Sequence, residues 1–428
     1  MKRIACVFLS LMLVSAMIVG MTGQAATLSH GDYQYTLNED GTAVLTKYLG
    51  SQTDLILPDS LDGHPLTSIG NNAFYQSPAL CSVMLPAGVK AIGASAFALC
   101  PELETVLLPE GLERIGYSAF FQCPFLKEVS LPATLLEIQR QAFSNCEGLT
   151  EISVDPRNET WKAIDGVLFS KDGSQLHTYP AGRADASYAI PEGTQVIAGG
   201  AFYGAAELEK VTLPGSLRNI GAYAFTLCRK LRGMSIPDGV TRIGTAAFYC
   251  CLALQEITIT SGNTRYEAKD GVLFQKDPAI LHSYPCGRPA GPYSIPEGTV
   301  EIGPWSFANC GVTELSFPDS LTVIREFAFL SCAKFTSLSL PASLVQLDQG
   351  AFAGCMKLEN LTLQEGLETI GASAFHNTVL KSLTIPDSVQ TIGGGAFTNC
   401  PVVLTVGEGS YALTYAQNNG IPYTIARR

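Results

Sequence analysis

Charge is scarce in this 428-residue chain. Only 15% of its residues are charged, and the bases are the rarer, 27 Lys and Arg against 38 Asp and Glu for a net charge of −11. No basic stripe or polybasic run occurs, which excludes the footprint of a nucleic-acid binder and a docking site for anionic lipid. Histidine is nearly absent too. The five that occur, His30, His64, His177, His282 and His376, form no HExxH helix. The chain also has no GxSxG elbow, no CxxC pair and no phosphate-binding glycine loop. Acyl or glycosyl transfer needs a nucleophile with its base, or paired carboxylates in a pocket. Nothing along the chain spells such a set, so the expectation is a non-enzyme with no catalytic residues, no cofactor and no metal. Long apolar runs are missing after residue 25 as well. The first 25 residues differ: Lys2 and Arg3 precede "IACVFLSLMLVSAMIVGM", and small residues follow at Gly23 and Ala25. That pattern predicts a secretory signal peptide over residues 1–25, cleaved after about Ala25, and a secreted mature chain with no transmembrane anchor.

What the chain has in abundance is repetition. "IGASAFALC" at 92–100 returns as "IGYSAFFQC" at 115–123. Aligned on this pair, a phenylalanine recurs at 74, 97, 120 and 143, then at 202, 225 and 248, then at 307, 329, 352, 375 and 397. The step is 22 or 23 residues except for two gaps of 59, from 143 to 202 and from 248 to 307. A period of this size means a solenoid, in which each unit packs only on its neighbours. Within a unit, Leu103, Val106 and Leu108 alternate inward as in a strand, and Pro109 with Gly111 makes the turn. Ile115 and Gly116 return on the other side. Ala119, Phe120 and Cys123 read as a short helical turn with Phe120 in the core. Parallel strands stack about 4.8 Å apart, so twelve rungs give a rod or arc on the order of 60 Å long.

The motif "LxxVxLPxxLxxIGxxAFxxC" resembles the BspA-like class of leucine-rich repeat. The stretches "YQYTLNEDGTAVLTKYLGSQTDLILPDSLDGHPLTSIGNNAF" and "VGEGSYALTYAQNNGIPYTIA" are similar to that family's usual start and end. The resemblance implies a leucine-rich repeat arc or rod with a parallel β-sheet. It also implies a secreted or surface-associated interaction module that binds a protein or glycan by adhesion. The alternatives are a structural surface-layer or scaffold component and, more remotely, a hydrolase. The expected division is an N-terminal cap over 26–53, the repeat solenoid over 54–406 and a C-terminal cap over 407–428.

Thirteen cysteines in an exported chain would ordinarily suggest disulfides. Nine of them, Cys100, Cys123, Cys146, Cys228, Cys251, Cys310, Cys332, Cys355 and Cys400, sit three residues after the repeat phenylalanine. Stacked side chains with parallel Cβ vectors suit a disulfide badly, so the column reads as small buried thiols filling an inner turn. Ala206 and Asn377, or a small residue nearby, stand in where cysteine is missing. Cys81, Cys250 and Cys286 fall outside the column and are expected to be more exposed.

Each long gap holds 36 extra residues, 155–190 and 260–295. The two match, "AIDGVLFSKDGSQLHTYPAGR" against "AKDGVLFQKDPAILHSYPCGR", and their turn residues predict β-hairpins. The paired His177 and His282, Tyr179 and Tyr284, Arg183 and Arg288 read as contacts reused by two inserts of one fold, with a duplicated ligand site as the other reading. Asn158-Glu159-Thr160 fits a glycosylation sequon.

Solenoids offer extended concave faces rather than closed pockets, so the outward strand residues are the expected working surface. One outward column is mostly hydroxyl, from Ser130 and Ser153 to Thr384, and reads as structural. The neighbouring column varies, and its charged members Glu128, Glu151, Lys210, Glu256 and Glu314 are the candidate binding residues.

Overall fold

The computed structural model describes residues 26–426. The segment 1–25, where the signal peptide is expected, lies outside the described residues. Among the described residues no helix is long and apolar enough to cross a membrane.

The chain winds as a parallel β-solenoid with three sides. One side carries the short strands of the "VxL" segments, such as Thr105–Leu107 beside Ser82–Met84. A second carries the two-residue strands before the glycine, such as Arg114–Ile115 between Ala91–Ile92 and Glu137–Ile138. The third, built from the "xxAFxx" segments, is not the helical turn that the spacing suggests. Ser95 and Leu99 on either side of Ala96-Phe97 have φ of 54° and 61°, a left-handed region that no α-helix visits. These residues instead reach across to the next rung, Phe97 N–H to the Ala119 carbonyl at 2.8 Å and Leu99 N–H to the Phe121 carbonyl at 2.8 Å. A tight ladder of turns results.

Glycine is required where the second side meets this turn face. A Cβ at Gly244 would lie 2.3 Å from the backbone nitrogen of Ala222 in the preceding rung, so only glycine lets the two rungs close up.

All twelve repeat phenylalanines are buried, and neighbours lie ring on ring. Phe97 and Phe120 are 5.2 Å apart at an interplanar angle of 4°, and Phe329 and Phe352 are 5.0 Å apart at 5°. Tyr179 and Tyr284 from the inserts join the same column, stacked on Phe202 and Phe307. The column cysteines behave as small inner thiols. Each donates its S–H to a carbonyl of the rung before, as Cys123 does to Phe97 at 3.0 Å and Cys251 to Phe225 at 3.0 Å. None of the nine is in a disulfide. Burial pushes up the thiols of Cys123, Cys228, Cys251, Cys310, Cys332, Cys355 and Cys400, that of Cys355 to about 12, which makes them poor nucleophiles, whereas the side-chain hydrogen bond with Cys123 lowers that of Cys100. Three positions of the column lack cysteine, the half-buried Ser77 and the buried Ala205 and Thr378, the last two one residue away from the Ala206 and Asn377 suggested by the sequence. Cys250 is buried too, and the half-buried Cys286 donates to the Cys251 carbonyl at 3.2 Å.

The inserts partition the core. The first is a three-stranded meander, Trp161–Ile164, Val167–Ser170 and Gln175–Thr178. Its middle strand runs through the interior. Leu168 packs with the core of residues 35–168, while Val167 and Phe169 face the next block. Leu273 and Phe274 divide the second boundary in the same way. Alternation along a strand makes this possible, since successive side chains point to opposite faces. The N-terminal end is covered by the antiparallel strands Leu28–His30, Tyr33–Leu37 and Ala43–Tyr48. At the other end a helix over Tyr411–Asn419 is capped by Ser410 and Gly420, and the strand Tyr423–Ile425 follows it.

Candidate functional site

The paired residues of the two inserts are structural. His177 is buried, with Nε2 at 3.0 Å from the Ile138 carbonyl and Nδ1 at 2.8 Å from the Thr178 hydroxyl. His282 makes the same pair of contacts, with Ile243 and Ser283. Burial pushes the His177 imidazole down to about 4 and that of His282 in the same direction, so both are neutral at ordinary pH. Arg183 and Arg288 lie over the rings of Tyr179 and Tyr284, at 5.6 and 5.4 Å, and bond the hairpin carbonyls of Asp165 and Asp270. The sequon asparagine is fully buried. Asn158 Nδ2 donates to the Pro132 and Leu135 carbonyls, and its Oδ1 accepts from the Thr160 and Trp161 amides. Asn263 repeats this clasp in the second insert.

On the turn face the rungs on either side of an insert meet directly. Asn145 N–H donates to the Tyr203 carbonyl at 2.9 Å, and the Ser144 hydroxyl donates to the Gly200 carbonyl at 2.9 Å. Across the second insert, Asn309 Nδ2 reaches the Tyr249 hydroxyl at 3.1 Å, and the rings of Tyr249 and Trp305 meet edge to face at 5.0 Å. On the strand sides each insert adds strands of its own, Gln175–Thr178 and Ser187–Ala189 in the first. Each insert is therefore a wedge open toward the strands, and the turn face is the inner side of both bends. That reverses the expectation of a concave strand strip. Trp305, Leu330 and Ala353, outward-facing residues of the turn side, are buried and form a satellite apolar cluster.

The strand face stays open. All five sequence-nominated residues are exposed on it, but they are not one cluster. Glu128 and Glu151 are direct neighbours in register. Lys210 pairs with Ser187, Glu256 with Gly233 and Glu314 with Pro292. The structure brings together Lys210 and Glu256, with Gly233 in the rung between them. These three, with Thr212, Ser235 and Thr258, line an open groove of about 760 Å³. Gly233 explains it, since the outward column loses a side chain there, and a Cβ would find its nearest neighbour 3.8 Å away at the Glu256 carbonyl. An ion pair between Arg232 and Glu209 at 3.0 Å lies along the same groove. The role of Gly233 and the hydroxyls was not read from sequence; the gap was visible as a glycine in a column of charged residues. Among the described residues no group of three or more His, Cys, Asp or Glu is placed to hold a metal ion.

The profile of the BspA-type leucine-rich repeat region matches residues 51–176, 186–270 and 292–403. The chain belongs to the BspA-type leucine-rich repeat family. The interruptions fall in the inserts. Among solved structures, a leucine-rich cell surface protein of Faecalibacterium prausnitzii is 30% identical, with 93% of this chain and 98% of that one covered and a TM-score of 0.53. A leucine-rich repeat protein of Eubacterium ventriosum is 20% identical over 78% of this chain and 95% of that one, with a TM-score of 0.52, and shares the fold. A search of curated proteins gives no match. The BspA-type repeat thus supplies the frame on which Lys210, Gly233 and Glu256 form the groove.

Proposed function

We propose that this chain is a secreted, non-catalytic adhesion module that binds a protein or glycan ligand at a cell surface through its strand face, centred on the groove at Gly233. The observation that carries the reading is that groove. It is the place where two of the five nominated residues, one basic and one acidic, flank a gap wide enough to receive a ligand group. Adjacent parallel strands lie about 4.8 Å apart, so Lys210 and Glu256 stand roughly 10 Å from each other across the gap. A charged pair of this kind gives orientation and on-rate more than raw affinity. Family membership and the cell-surface relative support the setting. Both carboxylate and ammonium are exposed, so binding weakens as salt rises past the range where the Debye length is about 8 Å.

The experiment is a binding screen of the mature chain against matrix proteins, mucins and glycans, repeated with Gly233→Trp. The indole fills the groove at a position where an added Cβ has only ordinary van der Waals contact, its nearest neighbour the Glu256 carbonyl at 3.8 Å. Ligands retained by the wild type and lost by the variant, with unchanged melting temperature, support the reading. Equal retention by both proteins defeats it.

A further inference from the structure

The outward column that carries hydroxyls over most of the strand face is apolar in its first three rungs. Ile56, Met84 and Leu107 are register partners on consecutive strands, and they are 73%, 43% and 50% exposed. From the next rung onward the same column reads Ser130 and Ser153. Single exposed apolar side chains are ordinary, whereas a continuous run is the mark of a contact surface. At about 4.8 Å per rung the three form a ridge roughly 10 Å long.

One margin of the ridge is acidic. Asp54 is exposed in the neighbouring column, and Glu128 follows two rungs after Ser82. On the far side a pocket of about 280 Å³ adjoins Ser130 at the end of the ridge, but its carboxylates Glu110 and Asp155 share the exposed Arg157, as Glu104 holds Lys127. The uncompensated charge lies with Asp54, Glu128 and the register neighbour Glu151. Two copies of the chain facing each other here would set acid against acid, which opposes self-association.

We propose that the ridge of Ile56, Met84 and Leu107 docks a basic amphipathic polypeptide segment, one that lays apolar side chains along the ridge and lysine or arginine against its acidic margin. Burial of the three side chains supplies the apolar contact, and the carboxylates select for a positive flank.

The test uses a short peptide of alternating lysine and leucine, with the glutamate–leucine peptide as its control, titrated at physiological salt. The variant is Ile56→Thr with Met84→Ser and Leu107→Thr, which writes into the first rungs the hydroxyls that later rungs already carry. The lysine–leucine peptide binds the wild type, the control does not, and the triple variant binds at least about tenfold more weakly with its melting temperature unchanged. Should the triple variant fold poorly, Ile56→Thr alone, at the most exposed of the three, still weakens binding. Equal binding by wild type and variants overturns the proposal, as does equal binding of the control peptide. Concentration-dependent dimerisation of the wild type that the triple variant loses also overturns it, by giving the ridge to a second copy.

Discussion

On the turn face, Gly200 lies so close to the previous rung that an added Cβ would sit 2.6 Å from Gln141 Cγ and 2.8 Å from the Ser144 hydroxyl. On the strand face, Gly233 has its nearest neighbour 3.8 Å away. Both glycines belong to the same 23-residue plan, but one sits on the close-packed turn ladder and the other on the open strand face; Gly350, in a regular rung with no insert before it, is as crowded as Gly200, with a Cβ 2.4 Å from the Phe327 ring. On the turn face successive rungs pack closely and outward residues are sealed in, in regular rungs, as Ser95 and Ser118 show, and beside an insert, as Trp305 shows at 7% exposed. On the strand face the outward side chains stay in water. The sealed face can vary little without disturbing packing. The open face can change its chemistry rung by rung, which is what a recognition surface needs.

The largest expected effect pits these two glycines against each other. Gly200 has φ of +72°, so Gly200→Ala meets both a left-handed backbone and the contacts named above. Strain and overpacking together cost about 3 kcal/mol. Gly233 is not in the left-handed region, and Gly233→Ala changes stability by no more than about 0.5 kcal/mol. Urea unfolding of the two variants measures the difference, and equal effects would erase the distinction between the faces.

A second test addresses the inserts, which wedge into the strand sides alone. His177 holds the first insert against the Ile138 carbonyl as a neutral ring, with its imidazole pushed down to about 4 by burial. The unfolded chain then binds the proton more readily than the folded one, with an ordinary value near 6.5. Stability is therefore full above about 6.5 and falls as pH drops toward 4, by about 2 kcal/mol at pH 5. His282 adds a change of the same sign. Thermal melting from pH 7.5 to 5 shows this slope in the wild type. The slope shrinks in His177→Gln, which removes the titrating group, and an identical slope in that variant would mean the histidine is not held neutral in the fold.

How much of this was legible beforehand follows from what repeats. The phenylalanine column, the proline turns and the nine cysteines recur at fixed offsets, and a fixed offset in a solenoid is a fixed place in space. The direction of bending was not legible, because the turn-face ladder simply continues across an insert, Asn145 bonding Tyr203 past 57 intervening residues as Gln122 bonds Ser144 in a regular rung, and sequence spacing does not show which side of the solenoid skips the insert. The Ala-Phe segment misled for a local reason. Its apolar spacing suits a helical turn, but Ser95 and Leu99 take left-handed conformations that spacing alone does not disclose. Of the candidate site, Lys210 and Glu256 were found in their column, while Gly233 between them registered only as a missing side chain. The ridge at Ile56, Met84 and Leu107 occupies the same column as the hydroxyls, which begin only at Ser130.

The smallest expected effect concerns the thiols that line the inner edge of the turn face. Cys251 is fully buried and gives its S–H to the Phe225 carbonyl at 3.0 Å. Cys251→Ala deletes one atom from a packed site and leaves that carbonyl with one donor fewer, for a cost of about 1 kcal/mol. The sulfur is a weak donor, so most of this cost is lost packing. If that is right, Cys251→Val, which replaces the sulfur with carbon at the price of one extra methyl group, should differ from Ala mainly through crowding rather than recover a hydrogen bond. Thiol titration of the native wild type sharpens the contrast between inside and outside. The half-buried Cys81, beside the strand face, reacts ahead of the buried column members, and denaturation without reductant releases the column together. Disulfides between successive members, such as Cys228 with Cys251, found by mass spectrometry would show that the column serves as a covalent staple, and the packing account of the inner edge would fail.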